Sequence, residues 1–214
     1  MWAPPPAVLT LGEDEVHVWR AELTSGGDAT ELDAEERERA ARFRFERDRA
    51  SFIASHSALR RILSRYVGCP PAALRFARAE LGKPSIDGPV RFSMAHSGGL
   101  ALYAIAHREV GVDVEQIRLE MDVKGIAERF LPAVEALELA SLEPGARQRA
   151  FFRLWTRREA YLKARGIGLS GVGETIGPTW VIRDLDPGEG YAGAVALETP
   201  QPRIVTWAYR PTAP

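Results

Sequence analysis

The chain of 214 residues contains one cysteine, Cys69. A single thiol closes no internal disulfide, so the fold must rest on an apolar core, and a reducing cytoplasm is the expected location. No charged-then-apolar leader opens the sequence. No apolar run approaches the ~18 residues that a membrane span needs, so no membrane association is expected. Neither sign of charge dominates: 28 Lys+Arg stand against 29 Asp+Glu, for a formal charge of -1. A global nucleic-acid-binding surface is therefore not expected. The four histidines lack metal-ligand spacing and there is no cysteine cluster, which argues against zinc. No Walker-type or dinucleotide glycine loop occurs; "GIGLSGVG" (166–173) follows a helix and matches neither pattern. Internal repeats and low-complexity linkers are also missing. The Pro-rich ends, "MWAPPP" and "RPTAP", read as frayed.

What is present is ordinary for a globular chain: 45% hydrophobic and 27% charged residues, enough for one large domain or two small ones. "EVHVWRAEL" (15–23) alternates as a strand does. Asp33, with Glu36 three residues later, marks a helix start. A second helix is expected over roughly 49–66, with Phe52, Leu59, Ile62, Leu63 and Tyr66 on one face and Gly68 and Pro70 closing it. "SMAHSGG" reads as a small polar loop. "LALYAIA" and "VGVDVEQI" read as a hairpin turning at "HRE" (107–109). Helices follow near 123–130 and 133–141, split by Pro132, then a strong one over 146–165 with Gly166 and Gly168 beyond it. Strands near "TWVIRD", "AGAVALE" and "RIVTWAYR" finish the chain. Helices and strands segregate without regular alternation, so the expected class is α+β.

"GVDVEQI" (111–117) places Asp113 and Glu115 two apart on a strand, hence on one face, with Val112 and Val114 on the other. Solvation alone would explain two such acids. The helix "FFRLWTRREAYLKARG" raises another possibility. Taking Glu159 as the origin of a helical wheel, Phe152, Lys163, Trp155 and Leu162 fall within ~60° of it. A carboxylate and an ammonium thus share the most apolar stripe, whereas a surface Glu–Lys pair is worth only a few tenths of a kcal/mol. If Asp113, Glu115 and Glu159 converge, hard oxygen donors without His or Cys suit Mg²⁺.

"GVDVE" followed by Glu159 within "WTRREAYLKARGIGL" resembles the two-part signature of the Sfp-type 4'-phosphopantetheinyl transferase family. "RFRFERDRASFIASHSALRRIL", "LGKPSI" and "FSMAHSGG" are similar to upstream elements of that family, in the expected order. Two positions depart: the family often has Lys where Arg158 stands, and Ser where Ala95 precedes His96. The resemblance implies a monomer of two similar halves, each a small mainly antiparallel sheet packed with a long helix and related by a pseudo-twofold axis. Residues 1–107 would bind the nucleotide end of coenzyme A, and residues 108–214 would carry the metal-binding acids and the catalytic helix. It implies Mg²⁺-dependent transfer of phosphopantetheine from coenzyme A to a serine of an apo acyl or peptidyl carrier protein, with release of adenosine 3',5'-bisphosphate. Asp113, Glu115 and Glu159 would hold the metal, and Glu159 would act as base, directly or through water. Lys163 would face the phosphates, and His96, Lys83 and Arg49 would contact coenzyme A. His17, His56 and His107 are assigned no role, and Phe43, Phe45 and Trp155 are read as packing residues. Two other readings stay open at this level: an Arg-rich binding module built on helix 147–165, and another Mg²⁺-dependent phosphoryl hydrolase.

Overall fold

The computed structural model describes residues 2–23, 27–78, 83–168 and 176–211. Strand β1 (Glu15–Glu22) begins the first sheet. Helix α1 (Ala34–Ala41) starts on a complete capping box: Asp33 accepts from the Glu36 amide at 2.9 Å and Glu36 accepts from the Asp33 amide at 3.0 Å. Helix α2 (Glu46–Val67) buries Phe52, Leu59, Ile62 and Leu63 and stops at Gly68, whose φ of 71° is open to glycine at no steric cost. Phe43 packs on Phe52 as expected, but Phe45 is 58% exposed.

Strands β2 (Ala77–Arg78) and β3 (Pro84–Ser85) form a short ribbon. Strands β4 (Arg91–Ser97) and β5 (Leu100–Ala106) join β1, and β9 (Arg203–Ala208) completes the order β4-β5-β1-β9. Only the β1–β9 pair is parallel; the others in this sheet are antiparallel. A second, antiparallel sheet has the order β6-β8-β7, from β6 (Val110–Gln116), β7 (Val181–Leu185) and β8 (Tyr191–Leu197). Helices α3 (Val123–Phe130), α4 (Ala133–Ser141) and α5 (Pro144–Arg165) lie between β6 and β7 in sequence. The class is α+β, as the segregated pattern indicated.

Alternation along the strands sorts the core into layers. Trp19, Ala21, Tyr103 and Ile105 face α2. Val16, Val18, Leu102 and Ala104 turn the other way and meet Val110, Val112, Val114, Val195 and Leu197 of the second sheet. Ala194 and Ala196 then face α5. The arrangement is therefore helix, sheet, sheet, helix. Among the described residues no helix is long and apolar enough to cross a membrane.

Three local expectations are corrected. "SMAHSGG" is not a loop: residues 93–97 belong to β4, and the turn is confined to Gly98 and Gly99. β5 and β6 are not a hairpin. They enter different sheets, because β5 pairs with β4 and β1 whereas β6 pairs with β8. The N-terminal segment is tied down, since Ala3 bridges to Trp207 and the Trp2 indole donates to the Asp186 carbonyl. Part of "GIGLSGVG" and the end of "RPTAP" lie outside the described residues.

Candidate active site

The alternation of β6 sends Val112 and Val114 into the inter-sheet core, and Gly111, Asp113 and Glu115 toward α5. Gly111 sets the distance between them. A Cβ added there would lie 1.9 Å from the Ala160 carbonyl oxygen and 2.4 Å from the Ala164 amide nitrogen. Ala160 and Ala164 sit one helical turn apart, so a seam of small residues lets α5 rest directly on β6. Glu159 and Lys163 flank that seam and are carried to the acids.

The Lys163 ammonium donates to Asp113 Oδ1 at 2.5 Å. Asp113 is 3% exposed, and its other oxygen, Oδ2, is buried without a hydrogen-bond partner among the described residues. Burial pushes the Asp113 carboxyl up to about 7, outweighing the attraction of Lys163; Glu115 and Glu159 push the same way. Glu159 is also raised, by burial and then by Glu115, against the pull of Lys163. The mutual repulsion places Asp113, Glu115 and Glu159 in one electrostatic cluster. No three acids or histidines among the described residues are placed closely enough to form a ready metal cage.

Glu115 accepts from the Ser97 hydroxyl at 2.7 Å. His96, the neighbouring residue on β4, stands at the rim of a cavity of ≈ 390 Å³. Its pKa lies below 6.5, through desolvation against the wall and then the Lys163 charge, with Glu115 opposing. Lys163, Arg39, His56 and Met94 line the same cavity. Lys83 lies elsewhere than expected for a free cation: its ammonium is engaged by Glu109 and by the Ala164 carbonyl at the end of α5, each at 2.7 Å. With Lys163 it borders a second cavity of ≈ 200 Å³. Arg49 is not brought to either cavity; it is exposed and faces Glu46 at 3.6 Å. Three arginines of α5 serve the fold: Arg153 and Arg157 both bind Asp184, and Arg147 caps the carbonyls of Leu139, Ala140 and Leu142. Trp155 stacks on Phe151, as a core residue does.

Sequence reasoning overlooked Ser97, Arg39 and Gly111, and it assigned no role to His56, which lines the cavity. Only Gly111 carried a local signal, a glycine inside a strand pattern, which marks close backbone approach. His56 stacks on Phe52 at 3.8 Å between centroids. Desolvation, then Arg39, His96 and Arg60, lowers its pKa to about 4, against the hydrogen bond to the Phe52 carbonyl. An unfolded histidine titrates near 6.5. Between those values the unfolded chain binds a proton that the folded chain refuses, so this contribution to stability falls as the pH drops, by about 1.4 kcal/mol per unit. His56→Phe keeps the stack and removes this liability. The variant should lose less stability than the wild type between pH 6.5 and pH 4 in denaturant titrations; equal losses would count against this reading.

Comparison with known proteins matches most of the chain to one family. Residues 19–108 match the family model for the N-terminal part of 4'-phosphopantetheinyl transferase, and residues 109–204 match that for the 4'-phosphopantetheinyl transferase superfamily. The chain is 35% identical over 220 residues to the 4'-phosphopantetheinyl transferase HetI of Nostoc sp., a match covering 92% of this chain and 93% of that protein. It is 31% identical over 144 residues to Sfp of Bacillus subtilis, covering 65% and 62%. To gsp of Aneurinibacillus migulanus it is 36% identical over 111 residues, covering 52% and 46%. Family models that together match residues 19–204, and a relative 35% identical over nearly the whole of both chains, lead to one conclusion: the chain belongs to the 4'-phosphopantetheinyl transferase superfamily and is a transferase.

Proposed function

We propose that the protein transfers the 4'-phosphopantetheine arm of coenzyme A to a serine of an acyl or peptidyl carrier protein, releasing adenosine 3',5'-bisphosphate. The observation that carries this reading is the convergence of Asp113, Glu115, Glu159 and Lys163 beside the cavity lined by His96 and Arg39. The serine oxygen attacks the β-phosphorus, the bond to the bridging oxygen breaks, and that oxygen leaves on the adenosine bisphosphate. Such a transfer needs charge neutralisation and alignment more than covalent help. Glu159, half-buried with a raised pKa, accepts the serine proton. Lys163 steadies the leaving phosphate as a point charge, and His96 and Arg39 receive the nucleotide end.

The oxygen-only donor set suits Mg²⁺ in its chemistry, although the three carboxylates do not stand as a ready cage among the described residues. Asp113 presents a buried oxygen with no hydrogen-bond partner among the described residues, and repulsion among the carboxylates is what a dication relieves. Asp113, Glu115 and Glu159 would hold it, and when bound it offsets charge on the pyrophosphate. Lys83 lines the smaller cavity, where it would border the pantetheine arm. Arg49 can act only from the exposed start of α2.

We read the halves 1–107 and 108–214 as pseudo-twofold relatives, with β9 crossing from the second half to complete the first sheet. Each contributes a helix of 22 residues packed on a sheet, α2 or α5, and each helix ends on a left-handed glycine, Gly68 or Gly166. One chain supplies both sides of the site, which supports a monomer, and the lone thiol fits the cytoplasm. The test is mass spectrometry of an apo acyl and an apo peptidyl carrier incubated with enzyme, Mg²⁺ and coenzyme A. A phosphopantetheine-sized gain on either carrier is expected. Adenosine bisphosphate release with neither carrier modified would instead indicate a hydrolase.

A further inference from the structure

The two sheets meet along their edge strands β4 and β6, and no backbone ladder joins these strands. Serine side chains do so instead. Ser93 Oγ accepts from the Val112 amide at 3.2 Å, and Ser97 Oγ accepts from the Gln116 amide at 3.1 Å. The spacing is four residues on both strands, so each serine satisfies an edge N–H of β6 that would otherwise lack a partner.

Ser97 does one thing that Ser93 does not. Its oxygen already accepts from an amide, which can only donate. Its single hydroxyl proton is therefore directed to Glu115 Oε2, 2.7 Å away. One carboxylate oxygen of Glu115 is thereby held, and the rotation of the whole carboxylate is restrained with it. The same contact locks the strand that carries His96 to the strand that carries Asp113 and Glu115.

We infer that Ser97 is a positioning residue for the transfer reaction: it aims the Glu115 carboxylate and fixes the register between the His96 strand and the acid strand. This rests on the function proposed above. Groups that orient a ligand from behind typically change affinity or activity by about 10–100-fold when removed.

The test compares Ser97→Ala, Ser97→Thr, Ser93→Ala, Glu115→Gln and the Ser97→Ala/Glu115→Gln double variant in the intact protein. Carrier modification, Mg²⁺ affinity by calorimetry with coenzyme A present, and melting temperature are measured for each. Ser97→Ala should lower kcat/KM and weaken Mg²⁺ binding by about 10–100-fold, and Ser97→Thr should restore both to within a few-fold. Ser97→Ala should add almost nothing in the Glu115→Gln background, because contacting residues that act as a unit are non-additive. Ser93→Ala, which removes only an amide partner, should lower the melting temperature without weakening Mg²⁺ binding. The inference is overturned if the loss from Ser97→Ala is as large in the Glu115→Gln background, or if Ser93→Ala weakens Mg²⁺ binding equally. If wild-type protein modifies no carrier, the proposed function fails first; if it does and Ser97→Ala matches it in rate and Mg²⁺ affinity, only this inference fails.

Discussion

Glu159→Gln should lower carrier modification by about 10²–10⁴-fold, the usual contribution of a positioned acid–base group, while leaving the melting temperature unchanged or higher. The asymmetry follows from the environment of Glu159. Burial and the nearby Glu115 both disfavour its charge, and Lys163 only partly compensates. An uncharged amide of the same shape loses the proton acceptor but also removes the repulsion. Strain at a functional site is retained for chemistry rather than for stability. Single-turnover rates and thermal melts on one preparation check both halves of the expectation. A turnover within a few-fold of wild type would remove Glu159 from the base role.

Gly111→Ala should be nearly as damaging without altering any ionisable group. The added methyl carbon would sit 1.9 Å from the Ala160 carbonyl oxygen, and the three atoms nearest it are all backbone, so no rotamer change relieves the clash. Helix α5 has to retreat from β6 and takes Glu159 and Lys163 with it. Displacing reacting groups by about 1 Å can cost 10²-fold in rate, and overpacking typically costs about 1–3 kcal/mol. The expected result is at least a ~100-fold loss of transfer together with a clear fall in melting temperature. Normal activity in this variant would mean that contact between α5 and β6 does not set the site.

Much of this was readable from the chain because it depended on local chemistry. The Asp33–Glu36 capping box and the glycines at 68 and 166 act within a few residues, and the helix ends fall where they stand. The common face of Asp113 and Glu115 needs only the period of a strand. Partners are another matter. Two alternating segments joined by "HRE" look like a hairpin locally, and nothing in that stretch records that β8 is the neighbour of β6. "SMAHSGG" looked like a loop because its serines are polar; they point at the amides of another strand, which only the assembled sheets reveal. Lys83 and Arg49 were equally invisible as to direction, since a cation in a turn or on a helix can face ligand, helix end or solvent. Lys83 faces a helix end.

The parallel pairing of β1 with β9 also bears on the order in which the protein can be completed during synthesis. β1 leaves the ribosome first and gains β5 when the middle of the chain follows, but its other edge stays open until residues 203–208 arrive. Open edges invite pairing with other chains, and contacts this distant in sequence form late. A product ending after β8 would hold Asp113, Glu115, Glu159, Lys163 and His96, yet expose one side of its earliest strand. Premature termination in this protein would thus be felt as aggregation before it was felt as lost chemistry.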